Sequence, residues 1–365
     1  MKLSEYLLYR DIQELSQMAS LYRCDCNVNS KLELVQSIHH SMMSKNAYPS
    51  ILKELDKNVL HFLLYILYQN TSTFSIDELM AKAKYVRDQF QSEESPRTWI
   101  TQLLKRGWLF PSSSRFQVQL DMADDLNRLL RSQIMDYIKQ EYQISTRAEL
   151  DLSYRDEGKA IQYDVGIFLA HIAKEPVPIT VEGVIHKRNQ QLLLKKLSVE
   201  EELILDKSWR FGYGRRFPAY PNRFSLIYDF CFAQKWIEEE AGGYVTLSYL
   251  GDKALEQEEW KLPSTFKRMV MFWVKLYKQP IPSLPFLILL VNELTQGEWI
   301  DTIQLFNVTK PWLKKYYYDE IETIYRERFL QMLVHLGLLH MTVEKQGQPV
   351  YCRLNPILIE EIFKS

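Results

Sequence analysis

The sequence predicts a mainly α chain with small β elements, an α+β architecture of tandem helix-plus-hairpin units behind an N-terminal helical module. That expectation rests on apolar residues recurring at helical spacing along most of the chain, and on three apolar helices that each run into a short turn and two β-prone segments. The three copies lie at intervals of about a hundred residues, and a repeated supersecondary unit constrains a fold more than any single motif does. In the first copy, residues 103–110 end a helix, Pro111-Ser112-Ser113-Ser114 turns, and Phe116, Val118 and Leu120 alternate as a half-buried strand. In the second, residues 232–237 lead through Gly242-Gly243 into Tyr244-Val245-Thr246-Leu247. In the third, residues 333–341 lead through Gln346-Gly347-Gln348 into residues 350–354.

Each copy has the outline of a winged helix-turn-helix with a small β-wing. The chain divides accordingly. Residues 1–56 form the helical module, with Asp11 as N-cap of one helix and Asn29-Ser30 opening another. Residues 57–145 hold the first winged helix: an apolar helix from Val59, a capping-box start at Ser75-Ile76-Asp77-Glu78, and a third helix opened by Pro96 and carrying Trp99, Ile100, Leu103 and Leu104. A long helix follows over 122–142. The polar interval 145–159, with Asp151, Arg155, Asp156, Glu157 and Gly158, reads as a hinge. Residues 160–260 hold the second winged helix and an aromatic, Arg-rich loop over 208–221. Residues 263–365 hold the third, with a long helix predicted over 316–336.

Composition bounds the function. A chain of 365 residues, 46% hydrophobic, divides into several cores. With 45 Lys+Arg against 46 Asp+Glu the net charge is −1, so no global field draws it to nucleic acid or anionic lipid, and any such contact is local. Cys24, Cys26, Cys231 and Cys352 show no disulfide framework, and one Cys-x-Cys lacks the second ligand pair of a structural zinc site. The most apolar stretch, 281–294, contains Pro282 and Pro285 and falls short of the ~20 residues that span a bilayer. A buried helix is expected there. The opening residues carry Glu5 and Arg10 and lack a signal-peptide pattern, which makes the cytoplasm the expected location.

No nucleophile elbow, metal-ligand cluster or phosphate-binding glycine loop stands out, so no enzyme, cofactor or metal is expected. His39 and His40 point to different sides of a helix. Gly212-Tyr213-Gly214 has neither the preceding strand nor the following helix of a nucleotide loop. The runs Glu200-Glu201-Glu202 and Glu238-Glu239-Glu240 read as solvated turns. As a contact surface, the loop is the strongest candidate in the chain: Arg210, Arg215, Arg216 and Arg223 stand among Trp209, Phe211, Tyr213, Phe217 and Tyr220. Guanidinium groups pair with phosphate while aromatic faces stack unpaired bases. The same composition also suits packing, with the aromatics holding the loop to its domain and the arginines answering the Glu200 run. A second basic-aromatic run is Lys310-Pro311-Trp312-Leu313-Lys314-Lys315-Tyr316-Tyr317-Tyr318. In the first winged helix Arg97, Thr98, Gln102, Lys105 and Arg106 suit a helix that meets DNA. Residues 225–232 in the second are almost wholly apolar, which predicts a buried helix.

Two local sequences carry a resemblance. One runs from the segment 11–18 through Lys31-Leu32-Glu33-Leu34-Val35-Gln36-Ser37-Ile38 to Leu52-Lys53-Glu54-Leu55. The other is Pro178-Ile179-Thr180-Val181-Glu182-Gly183-Val184-Ile185-His186-Lys187-Arg188-Asn189. Together, over the first 260 residues, they resemble bacterial helicase-associated proteins carrying a domain akin to the N-terminal domain of XPB-type helicases. The resemblance implies tandem winged helices that dock nucleic acid or partners such as a helicase or a transcription or replication component, and it transfers no catalytic residue. A P-loop of the form G-x-x-x-x-G-K-[ST] is absent. Two functions follow as expectations: a non-catalytic adaptor binding protein partners in DNA repair, transcription or replication, or a DNA- or RNA-binding protein using Arg97, Lys105, Arg106 and the 208–223 loop.

Overall fold

A computed structural model of the chain describes residues 1–69, 71–113, 118–205, 210–343 and 349–363. The chain is mainly helical with small antiparallel sheets, and it forms two compact units, Met1–Ile144 and Ser145–Ser365.

In the first unit, α1 (Leu3–Leu8), α2 (Ile12–Leu21), α3 (Lys31–Met43) and α4 (Tyr48–Glu54) precede α5 (Lys57–Leu67). Asp11 and Ser30 cap α2 and α3 as predicted, each side chain accepting a backbone N–H three residues on. These helices are not a separate module. Leu3 N–H donates to Asp125 Oδ1 at 2.9 Å and the Tyr6 hydroxyl to Asp121 Oδ2 at 2.9 Å, while Leu3, Leu7, Leu34 and Ile38 are fully buried. After α5 come β1 (Thr73–Ser75), α6 (Ile76–Phe90, capped by Ser75), α7 (Pro96–Lys105), β2 (Phe110–Ser113), β3 (Val118–Asp121) and α8 (Asp124–Glu141). The sheet order is β1-β3-β2. Pro111, read in the sequence as a turn residue, pairs with Leu120 from the edge strand β2, where a proline's missing N–H is tolerated. The predicted strand position Phe116, with Ser114, lies outside the described residues.

The second unit contains β4 (Thr146–Arg147), β5 (Tyr154–Arg155), α9 (Ala160–Lys174), β6 (Val177–Pro178), α10 (Lys187–Leu194), α11 (Asn222–Ala233), β7 (Ile237–Glu240), β8 (Tyr244–Leu247), α12 (Tyr249–Glu256) and α13 (Pro263–Leu276). It continues with α14 (Leu284–Thr295), β9 (Trp299–Asp301), α15 (Thr302–Thr309), α16 (Ile321–Thr323), a π-helical stretch Ile324–Leu330, α17 (Gln331–His335), β10 (Leu339–Thr342), β11 (Tyr351–Leu354) and α18 (Pro356–Phe363). The Glu238–Glu240 run is therefore strand β7, paired residue by residue with β8, and not a turn. The helix predicted from 316 begins at Ile321, because Tyr316 and Asp319 close a tight hairpin ahead of it. The predicted turn at 346–348 falls outside the described residues.

One order of elements occurs three times: helix, strand, helix, helix, strand, strand. In each case the first strand pairs antiparallel with the last, β1 with β3, β6 with β8 and β9 with β11, and the last two form a hairpin. The repetition extends to hydrogen bonds at the end of each third helix. Gly107, Lys235 and Gly337 take φ of 67°, 58° and 66°. Their N–H groups donate to Leu104, Phe232 and Val334, and the next residues, Trp108, Trp236 and Leu338, donate to Leu103, Cys231 and Leu333. This is a Schellman closure, in which a left-handed residue satisfies the last carbonyls of the helix. Only the second copy places a side chain in that conformation. Lys235→Gly is expected to stabilise the protein by about 1 kcal/mol, read as a higher urea midpoint at unchanged m-value.

The interval 145–159 is not a free hinge. β4 pairs with β9 and β5 with β10, so this segment lines both edges of a five-stranded sheet ordered β4-β9-β11-β10-β5. Two-residue strands carry no readable period, which is why the segment looks like a linker in sequence.

Candidate functional site

The three third helices differ sharply in what they leave exposed. On α7, Trp99, Ile100 and Leu103 face the core, while Arg97, Thr98, Thr101 and Lys105 are exposed. Arg97 and Lys105 have no ion-pair partner among the described residues. Arg106 is half-buried, with its guanidinium 5.5 Å from the Trp108 ring centroid. No Asp or Glu occurs between Glu94 and Asp121. By contrast, α11 is buried from Arg223 through Cys231, as its apolar sequence predicts. The helix spanning 321–335 buries Ile324, Tyr325, Arg328–Leu330 and Met332–His335. The last two helices pack on each other.

Polar contacts hold this junction. Arg328, carried on the π-helical stretch, donates through Nε to Asp319 Oδ2 at 2.8 Å and through Nη1 to Asn222 Oδ1 at 3.0 Å. Asn222 Oδ1 also accepts from Arg210. Below them is a buried charge cluster. Arg223 Nη1 lies 2.5 Å from Asp164 Oδ2 and its Nε 3.3 Å from Glu157 Oε2. His335 Nδ1 lies 3.1 Å from both Glu157 oxygens, and Arg155 reaches Glu157 from the rim at 2.5 Å. Burial opposes ionisation of Glu157, but the hydrogen bond and charge of His335, with Arg155 and Arg223, outweigh it and hold the carboxyl below its ordinary range. Asp164 Oδ1 accepts from Ser198 N–H at 2.7 Å and from its hydroxyl at 2.8 Å. An open cleft of about 830 Å³ lies over the cluster, lined by Glu200, Glu202, Arg210, Asp319, Arg328 and His335.

Arg223 therefore cannot reach a macromolecule, because its side chain is 0% exposed and is consumed by Glu157 and Asp164. Tyr213, expected at the contact surface, is out of reach as well: it is 2% exposed, against Phe217 at 4.8 Å and Tyr277 at 4.9 Å. Arg210 lies 4.1 Å from the Phe217 centroid and donates to Tyr220 O at 3.3 Å, which places it in loop packing. Arg215 and Arg216 both pair with Glu239, at 3.3 and 2.6 Å. Glu239, which also accepts from the Tyr228 hydroxyl, is held below its ordinary range by Arg216 and these partners against the opposing effect of burial. The Glu200 run, expected to answer these arginines, does something else: Glu201 accepts the Arg223 and Phe224 N–H groups at 2.9 and 2.8 Å, capping α11. Trp209 lies outside the described residues.

The glycines of Gly212-Tyr213-Gly214 serve packing. A Cβ on Gly212 would collide with the Tyr316 ring and one on Gly214 with Asp229 Oδ2, and both backbones have positive φ. Asp229 accepts Arg215 N–H at 2.7 Å, and burial pushes its carboxyl up to about 6.

Cys231 and Cys352 are buried, Cys24 and Cys26 half-buried, and burial raises the thiol pKa of Cys231, Cys352 and Cys24. Among the described residues no group of three or more His, Cys, Asp or Glu is placed to hold a metal ion, and no helix is long and apolar enough to cross a membrane. Compared with known proteins, the chain matches no family model and no curated protein sequence.

Proposed function

We propose that this chain is a non-catalytic adaptor built from three winged-helix repeats, two of which have turned their third helices on each other while the first offers α7 to a protein partner. The winged-helix reading is supported by the thrice-repeated element order, its strand pairing and its Schellman closures. The observation that carries the adaptor reading is the burial of α11 and of 321–335. A DNA-binding winged helix presents its third helix to the major groove. Here two of three are spent inside the molecule, and Arg215, Arg216 and Arg223 are paired with carboxylates while Arg210 is held by Tyr220 O and Asn222. A setting in DNA repair, transcription or replication follows from the resemblance of 11–55 and 178–189.

A photo-crosslinker at the exposed Thr101 of the full chain, used in the native cell, tests this reading. A protein adduct that survives nuclease is expected, and an adduct to nucleic acid alone would overturn it.

The acid-free run around α7 favours a second reading, in which Arg97, Lys105 and Arg106 contact nucleic acid. If so, Arg97→Ala with Lys105→Ala reduces the salt slope of duplex binding by about 2 in a mobility-shift titration. No duplex binding by the unmodified chain removes this reading.

A further inference from the structure

We propose that a slot between α4 and α8 binds a short polyproline II segment of a protein partner, held through its main chain by Gln133. The site deepens the adaptor reading, on which it rests for the origin of the guest, and shares no residue with α7. The two helices pack on each other in the first unit, and beside that contact opens a cavity of about 340 Å³. Pro49 and Leu52 of α4 line one wall, and Gln133, Tyr137 and Gln140 of α8 line the other. The α8 positions form one stripe, at i, i+4 and i+7. Gln133 is out of place in a helix that exists to bury apolar surface: its neighbours Leu129, Leu130 and Ile134 are buried, it is itself 8% exposed, and its side chain makes no hydrogen bond among the described residues. Taking an amide out of water without a partner is costly, and buried amides are paired as a rule. An unpaired one in the wall of a cavity points to a guest.

Chemistry, charge and spacing select that guest. A primary amide offers one carbonyl and an NH2 group, the complement of a peptide's N–H and C=O. The rim carries one charge of each sign, Lys53 on α4 and Asp136 on α8, both exposed and neither ion-paired among the described residues, so the slot has no net attraction for phosphate and suits an uncharged main chain. A helical guest does not fit, because one turn about 10 Å across and about 5.4 Å long already exceeds the cavity. Seven positions on a helix separate Gln133 from Gln140 by about 10 Å along the axis. In polyproline II, peptide groups facing the same way recur every three residues, about 9 Å, and none is used in an internal hydrogen bond. Such a segment laid along α8 therefore meets both amides, with its apolar rings against Tyr137 and Leu52.

Anisotropy of a labelled nonapeptide, three repeats of Leu-Pro-Pro, titrated with the full chain tests the proposal. Saturable binding is expected, and N-methylation of the leucines, which removes the N–H groups, should weaken it about tenfold. Gln133→Met keeps the shape of the side chain and removes the amide. It is expected to weaken binding about tenfold without lowering the melting temperature, because a buried polar group that lacks a partner contributes nothing to folding. Absence of binding by the unmodified chain, unmodified affinity in Gln133→Met, or equal affinity for a Gly-Ser peptide of the same length would each overturn it. So would adenosine binding that Gln133→Met abolishes while peptide affinity stays unchanged. Failure of the slot beside a nuclease-resistant crosslink at Thr101 would leave the adaptor reading standing.

Discussion

Arg223→Ala is expected to destabilise the second unit by about 3–5 kcal/mol, because it leaves Glu157 and Asp164 buried without their shared cation. A loss of that size is a large part of the stability of a typical domain. Two further results separate charge from lost volume. Arg223→Met retains most of the volume and is expected to be nearly as damaging, whereas Arg223→Met combined with Asp164→Asn recovers part of the loss. The pH dependence carries a definite sign. Glu157 has a folded-state pKa below its ordinary 4.5, so its contribution is fully present above about pH 4.5 and is lost as pH falls through the lower folded value. Arg223→Ala removes one of the cations that depress that pKa, so its urea midpoint should fall less steeply with acid than that of the unmodified chain. An equally steep fall would show that Arg223 does not support Glu157.

Gly337→Ala is the second large effect, expected at about 2–4 kcal/mol. The residue has φ 66°, and a Cβ there would strike the carbonyl of Gly158, where backbone meets backbone and no rotamer gives relief. Gly107→Ala is the natural control. It has φ 67° at the equivalent closure of the first repeat, but its Cβ would meet the flexible ends of Met18, at 3.1 Å, and Met42, at 3.4 Å. That change should cost about 1 kcal/mol. The difference between the two urea midpoints therefore measures the Gly158 contact, and equal losses would refute it.

The contrast also shows what can be read from the chain alone. Gly107 and Gly337 are visible in sequence because left-handed closure favours glycine, whereas Lys235 performs the same role unseen. Caps such as Asp11, Ser30 and Ser75 are legible since one oxygen three residues before an N–H is a local relation. Nothing local announces the Arg223 cluster: His335 and Glu157 are 178 positions apart. The only hints are a carboxylate at Asp164 inside an apolar helix and a histidine inside an apolar run. The loop around Arg215 was ambiguous for a chemical reason, because guanidinium and aromatic groups that hold phosphate hold Glu239 and each other equally well. Tyr316-Tyr317-Tyr318 suits the helix predicted there, and only the pairing of Tyr316 with Asp319 reveals a turn.

The edge strands β4 and β5 also bear on how the protein is made. The Thr146 hydroxyl donates to Glu298, 152 positions later, and Tyr154 pairs with Thr342. Nascent chain emerging from a ribosome must therefore carry 146–147 unpaired until about residue 300, and 154–155 until about residue 342, has been translated. Residues 1–144 face no such wait, so the two halves should acquire protease resistance at well-separated moments of synthesis.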